Sequence, residues 1–597
     1  MENIKKLYSL LTSQQQKKVT LILIFLFLSS SLQFIGISSI LIAFKIIRAQ
    51  EISELGNFFN TIYIFFNFFD FLFFKKIVIF LLFIIVILSV LITFLNHNIV
   101  SYFSHSFSQK LEAKIFSFYV KCDYFFFSNE SNTRIISNFK DHLPRVTTNL
   151  IPAICIFVTA TSTLITIFIF TLFIDYELSI MIYSSLGTMY YFLFVFLRKR
   201  LVSLTQDLVS SSRSKTEATI DAINNIKIIK FFKDKDIYLN KFYESSAQIV
   251  KNSVRLFLIE VSPRVLLDIL LYCGTIVALI IFYDRSANEL VIDKLLFFAI
   301  AASKALPTIN QLYSSIVLIK HSTLSLNEVN NEINNLTKDA NKTKINKEHI
   351  IFKNSIKLEN INFKFKNGNF NFENLNLTLN KNDCIGVCGP SGSGKTTFID
   401  LLSGIYKPQK GNLIIDEKII SENTIDSYRD LISYISQDNY IGDLTIKEAV
   451  IFGNIKSDDI SLKITDEKVK ESLDKVELLN FVNSLPKNIN TKLGDKGIKL
   501  SGGQKQRLTL AKAFFTKSEI LILDESTSAI DQYTEEKILD KIYKDVKKNN
   551  QTLIFVTHRL KSLKKTDKII LIKDSKIKFT GKYSDLIDEK GNYLDEK

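Results

Sequence analysis

Cysteine is scarce in this chain. Its 597 residues include five, Cys122, Cys155, Cys273, Cys384 and Cys388, an odd and scattered set. None of them makes a metal-ligand spacing, and isolated thiols of this kind do not make a disulfide framework. Negative charge is also in deficit: 60 Asp and Glu stand against 75 Lys and Arg, a formal net charge of +15. An excess of that sign points to nucleic acid or to a membrane surface. Placement decides for the membrane, because Lys and Arg crowd the flanks of apolar runs; no nucleic-acid partner is expected. Two long stretches, about 96–149 and 198–264, lack glycine and paired proline. They are expected to continue helices rather than to form open loops.

Apolar mass is what the chain has in plenty. Hydrophobic residues make up 47% and Phe alone numbers 50. They are concentrated in the first half. Six segments reach the ~20 residues that cross a hydrocarbon core: about 19–47, 71–95, 151–173, 178–197, 265–283 and 295–319. The first is too long, and too far from a cleavage-like site, for a signal peptide. Lys5, Lys6, Lys17 and Lys18 precede it, and the stretches after the second and fourth segments are rich in Lys and Arg. The turn after the third holds only Asp175 and Glu177. The positive-inside rule then puts both chain ends and both long stretches in the cytosol. Ile4, Leu7, Tyr8 and Leu11 recur at helical spacing, as in a short interfacial helix. The aromatic stretch 57–74 reads as an extension of the second segment; the alternative is a separate helix in the outer leaflet.

From about 331 to 354 the composition turns to Asn, Lys, Thr and Glu, a solvated linker. Beyond it, alternation at Ile356, Leu358, Ile361, Phe363 and Phe365 reads as strand, and strand and helix patterns then alternate, an α/β core. Gly389, Pro390, Ser391, Gly392, Ser393, Gly394, Lys395 and Thr396 follow an apolar strand, and Thr397 leads into a helix. This is a phosphate-binding loop. Glycines let backbone N–H groups approach the phosphates, Lys395 brings a charge to the β/γ oxygens, and Thr396 presents a hydroxyl to Mg²⁺. The buried strand 520–524 ends in Asp524 and Glu525. Asp524 can hold Mg²⁺ through water, and Glu525 can orient and deprotonate an attacking water. ATP and Mg²⁺ are thus the expected substrate and cofactor.

Leu500, Ser501, Gly502, Gly503 and Gln504 precede a helical run. With that segment the half resembles the ABC ATPases, whose signature this sequence matches. Further motifs follow the same pattern: Gln437 in Ile-Ser-Gln, Asp531 closing Ser-Ala-Ile-Asp, and His558 in Val-Thr-His-Arg. Phe365 stands where an aromatic, usually Tyr, stacks on adenine. The segment 491–497 resembles one that exporters hold near the membrane domain. The order of the two halves resembles exporter half-transporters. The resemblance implies a six-helix transmembrane domain with long cytosolic extensions over 1–330, a linker over 331–354 and a P-loop ATPase domain over 355–597. It also implies a homodimer in the inner (plasma) membrane. Ser501, Gly502 and Gly503 of one copy would meet the γ-phosphate held by Lys395 of the other. His558 would contact that phosphate, Gln437 would link Mg²⁺ to the membrane half, and segments near 128–137 and 215–225 would dock on the ATPase.

The cargo is less legible. Arg264, with Asp268 one turn on, and Lys304 are charges in or beside apolar spans, functional candidates by default. They would bind an anionic headgroup if both faced one cavity; stabilising pairing and snorkelling are the alternative. Ser262-Pro-Arg before an apolar run, Lys304-Ala-Leu-Pro, and the short segment between the first two spans are similar to PglK-type lipid-linked oligosaccharide flippases. A multidrug, lipid or peptide exporter and an ATP-gated channel or sensor are the other readings.

Overall fold

The computed structural model describes residues 2–66, 70–232, 235–283, 289–340, 348–365, 371–437, 442–452, 466–494, 497, 499–516 and 518–586. The chain divides into two units, Met1–Lys121 with Glu130–Lys338, and Cys122–Asn129 with Asp339–Lys597.

The first unit is helical. It begins with α1 (Glu2–Leu10) and α2 (Ser13–Arg48), separated by a capping box in which Thr12 and Gln15 satisfy each other's backbone N–H. Leu7, Leu10 and Leu11 are buried, whereas Tyr8 is exposed, so the apolar face of α1 turns slightly from the expected one. Next come α3 (Asn57–Phe65) and α4 (Phe71–Lys121). The stretch 57–65 is therefore a helix of its own and not an extension of α4; Gly56, at φ 86°, opens it. Residues 67–69 of that stretch lie outside the described ones. After α5 (Tyr124–Asn129), which groups with the other unit, follow α6 (Asn132–Ser137) and two π-helical turns at Asn138–His142 and Arg145–Leu150. The rest is α7 (Ile151–Ile174), α8 (Tyr176–Asn224), α9 (Ile226–Phe232), α10 (Lys235–Tyr283) and α11 (Glu289–Ala340).

Six of these, α2, α4, α7, α8, α10 and α11, carry the six apolar segments. Among the described residues, two stretches, Phe71–Lys121 and Asn132–Ile174, are long and apolar enough to cross a membrane. The 51 residues of α4, like the 49 of α8, far exceed one crossing. Both glycine-free stretches thus continue helices, as their composition predicts. Helix α11 likewise runs to Ala340, past the expected linker start, and 341–347 lie outside the described residues.

Helices in hydrocarbon gain little from apolar contact and pack through small and polar residues. Gly36 of α2 meets α4 so closely that a Cβ there would lie 2.3 Å from Ser89 Oγ. Asn96 of α4 donates to Ser29 Oγ of α2 at 2.6 Å, and Ser30 pairs with Ser162 of α7. Further along, Tyr119 Oη donates to the buried Glu332 at 2.7 Å and Arg134 to the same carboxylate at 3.2 Å, tying α4, α6 and α11.

The second unit is α/β. An antiparallel sheet orders β2 (Asn371–Asn380), β1 (Ser355–Lys364), β4 (Lys410–Ile415) and β5 (Lys418–Ile419). A second sheet orders β10 (Lys576–Gly581), β9 (Lys568–Lys573), β3 (Cys384–Cys388), β8 (Thr552–Val556), β7 (Ile520–Asp524) and β6 (Ile432–Ile435). All its pairings are parallel except β10 with β9. Strands β3, β7 and β8 are buried along their whole length, which is why they read as unbroken apolar runs. Helices flank the sheets: α12 (Lys395–Leu402), α13 (Ile425–Arg429), α14 (Ile446–Ile451), α15 (Asp466–Lys475), α16 (Leu479–Asn483), α17 (Gly502–Phe515) and α18 (Gln532–Lys548).

Helix α5 belongs to this unit. Phe125 stands edge-on to Phe363 and to Tyr406, each at 6.1 Å between centroids, and Tyr124 lies 5.8 Å from Tyr406. The segment grouped with the α/β unit is thus 122–129, centred N-terminal to the expected 128–137; its aromatic run supplies the packing surface. The second expected segment, 215–225, takes in the last turns of α8 and the turn residue Asn225 after it.

Candidate functional site

In an open parallel sheet, ligands bind beyond the carboxyl ends of the strands. Here β3, β8, β7 and β6 are successive neighbours, and each ends in one of the motifs: Gly389, His558, Asp524–Glu525 and Gln437. Strand order therefore gathers residues far apart in sequence.

Gly389 makes the turn out of β3 at φ 151°, and a Cβ there would lie 2.1 Å from the Ile572 carbonyl oxygen. Only glycine fits. Gly392 and Gly394 also have positive φ, at 78° and 101°, and Lys395 and Thr396 open α12. Lys395 is only 5% exposed; its ammonium donates to the carbonyls of Gly389 at 3.2 Å and Pro390 at 3.1 Å. Burial pulls its pKa down, opposed by the charges of Glu525 and Asp524. The buried Ser393 Oγ has no partner among the described residues, while Ser391, Thr396 and Thr397 keep some exposure.

Glu525 is the hub. His558 Nε2 lies 2.7 Å from Oε1, Gln437 Nε2 donates to Oε2 at 2.8 Å, and Lys395 Nζ is 4.0 Å from Oε1. Its own backbone has φ 45°, the left-handed region, at a cost of about 1–3 kcal/mol that the surrounding structure must hold. Beside it Asp524 is 1% exposed and accepts from Tyr434 Oη at 3.1 Å through Oδ2, while Oδ1 is buried without a partner among the described residues. Burial raises the Asp524 pKa, with Glu525 adding to the shift, and pushes that of neighbouring Asp400 up to about 7. The Asp524 oxygen without a partner among the described residues, the Thr396 hydroxyl of the phosphate loop and the carboxamide of Gln437, which sits on neighbouring Glu525, make up a hard oxygen donor set. It fits Mg²⁺.

Ser501 caps α17 by accepting from Gln504 N–H, and the Gln504 side chain accepts from Ser501 N–H at 2.9 Å. The first-turn amides of Gly502 and Gly503 have no intrahelical acceptor, so this helix start can receive an anion. Gly503 packs so close that a Cβ would sit 3.0 Å from the Ala529 carbonyl oxygen. Asp531 caps α18 through Thr534 N–H at 2.9 Å, which lowers its pKa. Phe365 stands edge-on to Tyr406, 5.6 Å between centroids, and to Phe363 at 5.0 Å.

Sequence reading missed several supports. Tyr434 holds Asp524; its signal is its place two residues before Ser436 in the strand leading to Gln437. Arg559 reaches the buried Glu535 and the carbonyls of Ser528 and Ile530, both at 3.2 Å. Gln506 donates to Ser528 Oγ at 2.9 Å and accepts from Ala529 N–H at 2.6 Å, joining α17 to the segment after β7. Nothing in the sequence separates Arg559 and Gln506 from ordinary surface polar residues.

In the first unit, Lys304 and Arg264 part company. Lys304 lines a cavity of about 370 Å³. Arg264, 70% exposed, stands 4.0 Å from Asp268 and does not line that cavity.

Comparison with known proteins agrees with this geometry. Residues 372–528 match the family model described as ABC transporter. The heterocyst differentiation ATP-binding protein HepA of Nostoc sp. is 27% identical over 398 residues, 66% of this chain and 63% of that protein. A putative export ATP-binding/permease protein of Rickettsia typhi is 30% identical over 400 residues, 65% of this chain and 66% of that protein. The mitochondrial iron-sulfur clusters transporter ATM1 of Kluyveromyces lactis is 26% identical over 391 residues, 63% of this chain and 52% of that protein. These matches span between about half and just under two thirds of the relatives' own lengths. A solved structure of a bacterial Atm1-family ABC exporter with ATP bound covers 97% of this chain, and the match takes in 96% of that chain, with a TM-score of 0.73 at 17% identity. The chain carries the ATPase domain of the ABC transporter family on an exporter fold.

Proposed function

We propose that this chain is one half of an ATP-driven exporter. Its helical half crosses the plasma membrane six times, its ATPase half lies in the cytosol, and two identical copies complete two ATP sites. The observation that carries the reading is the convergence of His558, Gln437 and Lys395 on Glu525.

The chemistry follows from those positions. The phosphate-binding loop and Lys395 hold the β- and γ-phosphates, and Phe365 offers a ring to the adenine. Mg²⁺, held by Thr396, Asp524 and Gln437, supplies positive charge to the phosphate oxygens when bound. Glu525 takes a proton from water as the water oxygen bonds to the γ-phosphorus. The bond to the β-phosphate oxygen breaks, leaving ADP and inorganic phosphate. His558 and Gln437, one on each carboxylate oxygen, fix the direction of that base. Ser501 and the amides of Gly502 and Gly503 from the second copy close on the γ-phosphate. Both copies of this sequence carry the full motif set, which supports a homodimer.

The cargo we propose is amphipathic and lipid-like, with a lipid-linked oligosaccharide as the specific candidate. The test reconstitutes the protein in lipid vesicles and follows ATP hydrolysis together with transbilayer movement of a labelled polyprenyl-pyrophosphate oligosaccharide. Hydrolysis and flipping that are both lost in Glu525→Gln support the reading. Hydrolysis that survives in Glu525→Gln removes the assigned base. Steady hydrolysis without flipping removes this cargo, and drugs, phospholipids and peptides become the next substrates to assay.

A further inference from the structure

A groove of about 500 Å³ runs between α2 and α4 near the start of α2. Two contacts fix the register of this antiparallel pair: Gly36 meets Ser89, and Ser29 meets Asn96. Both keep the same offset, which places Gln15 level with Lys110, Lys18 level with Phe107 and Ile22 level with Phe103. One end of the groove thus holds Gln15, Lys18, Ser106 and Lys110. The other holds Leu21, Ile22, Ile99 and Phe103, with Asn98 and the Tyr102 hydroxyl as its polar exceptions. In this register Lys18 and Lys110 stand three residues apart along the common axis, about 4.5 Å at 1.5 Å per residue. Neither makes an ion pair among the described residues, and no acidic residue among those described lines the groove.

Its place along the chain supplies a second observation. The apolar run of α2 begins at Val19. The cationic end therefore lies where the chain enters hydrocarbon, and the charge pattern puts that entry on the cytosolic side. The groove is also separate from the cavity at Lys304, with which it shares no lining residue. At 3.6 residues per turn, Ile99, Phe103 and Lys110 of the groove lie on the face of α4 roughly opposite His97, Ser101 and Ser104 of that cavity. The groove's rim is open, with Leu21 66% and Tyr102 77% exposed.

We infer that this groove seats an anionic phospholipid of the cytosolic leaflet, held as a resident lipid and not carried. The phosphate lies between the Lys18 and Lys110 ammoniums, with Gln15 and Ser106 as further donors. One acyl chain follows Leu21, Ile22, Phe103 and Ile99 toward the membrane interior. Two cations with no lining carboxylate favour a headgroup of net negative charge. A choline headgroup would bring its own ammonium to the same end, where nothing accepts it. The lipid would pin the cytosolic end of α2 to α4. The inference rests on the membrane orientation of the exporter reading and not on its cargo.

Binding of tritiated phosphatidylglycerol and phosphatidylcholine to the detergent-purified full chain, without nucleotide, tests it. No hydrolysis or transport is read, so failure here is distinct from failure of the exporter reading. Wild-type protein should prefer phosphatidylglycerol about tenfold or more, since each lysine near an anionic headgroup contributes roughly fivefold. Lys18→Gln combined with Lys110→Gln should lower that preference at least about fivefold, and the paired Lys→Arg changes should keep it. Both lysines are exposed, so folding is at little risk. Lys17→Gln combined with Lys114→Gln removes the same charge from exposed positions that do not line the groove, and should leave the preference near wild type. Lys304→Ala should leave it unchanged as well. A benzoylphenylalanine placed at Tyr102 should crosslink to lipid on irradiation. Equal affinity for the two lipids overturns the inference, as does an equal loss in the two glutamine pairs or a loss in Lys304→Ala. A crosslink to a second copy of the chain instead of lipid overturns it too, because the groove is then an interface.

Discussion

At the scale of single residues, the site sets a carboxylate with a partner on each oxygen, Glu525, beside the buried Asp524 Oδ1 and Ser393 Oγ, which have no partner among the described residues. Glu525 sits in a left-handed backbone conformation at φ 45°, so its carboxylate is aimed by the turn after β7 rather than by rotamer choice alone. The isosteric Glu525→Gln keeps that turn and removes the base. Hydrolysis should fall by about 100-fold or more, the usual worth of general base catalysis, while ATP binding persists. Measured turnover and nucleotide affinity together check this. Tyr434 is a support of a different kind. Its hydroxyl holds one oxygen of Asp524, whose other oxygen has no partner among the described residues. Tyr434→Phe leaves a buried carboxylate with still fewer donors, and should cost about 1–3 kcal/mol of stability, read from thermal unfolding without Mg²⁺. Added Mg²⁺ should narrow the difference if the metal is held, as proposed, by the same carboxylate.

At the scale of elements, helix ends and helix extensions carry the interest. The capping box at Ser501 and Gln504 fixes where α17 begins. Ser501→Ala should cost about 0.5–2 kcal/mol through the lost cap. It should also lower ATP turnover, because the helix start proposed to meet the partner's γ-phosphate loses its hydroxyl; steady-state kinetics and unfolding separate the two effects. In the extension of α11, beyond the expected apolar span, burial and the charge of Arg145 lower the His321 pKa from 6.5 to about 4. Burial also lowers that of His142 on the π-helical turn. The folded state therefore favours the neutral rings. Their contribution is fully present above the unfolded value of 6.5 and is lost as pH falls from there toward about 4, because the unfolded chain takes up protons first. The thermal midpoint should fall over that window, and His321→Gln should flatten part of the fall. A variant that follows the wild-type curve would show that His321 is not the responsible group.

At the scale of the whole molecule, the proposed homodimer makes a prediction that a self-sufficient monomer does not. Lys395→Ala damages the phosphate loop, and Ser501→Arg damages the signature. Each variant alone should be inactive. In a dimer of one with the other, both lesions fall in the same site and the second site is intact. Co-reconstitution at equal amounts should then recover about a quarter of wild-type hydrolysis if copies pair at random and sites act independently, since half the dimers are mixed and each has one good site. No recovery on mixing would argue that each chain completes its own site or that the copies do not pair.

Local chain chemistry determined much of this protein by itself. The phosphate loop is written in consecutive residues because its function is a backbone turn, and Gly389 cannot be anything larger where a Cβ would lie 2.1 Å from the Ile572 carbonyl oxygen. The long helices were legible from apolar runs and missing glycine, and β3 and β7 from continuous burial. The aromatic stretch after Gly56 was ambiguous, since apolar composition alone does not say where one helix stops; the break before α4 is a matter of backbone geometry. Only tertiary structure decided which distant residues share a site. Parallel strand order brings His558 and Gln437 to opposite oxygens of Glu525. Helix packing puts Lys304 in a cavity with His97 and Asn96 and leaves Arg264 beside Asp268. The physical reason is that a motif of adjacent residues is fixed by local dihedral angles, whereas a cluster drawn from separate strands or helices is fixed by long-range packing, whose contacts leave no spacing in the sequence to be read.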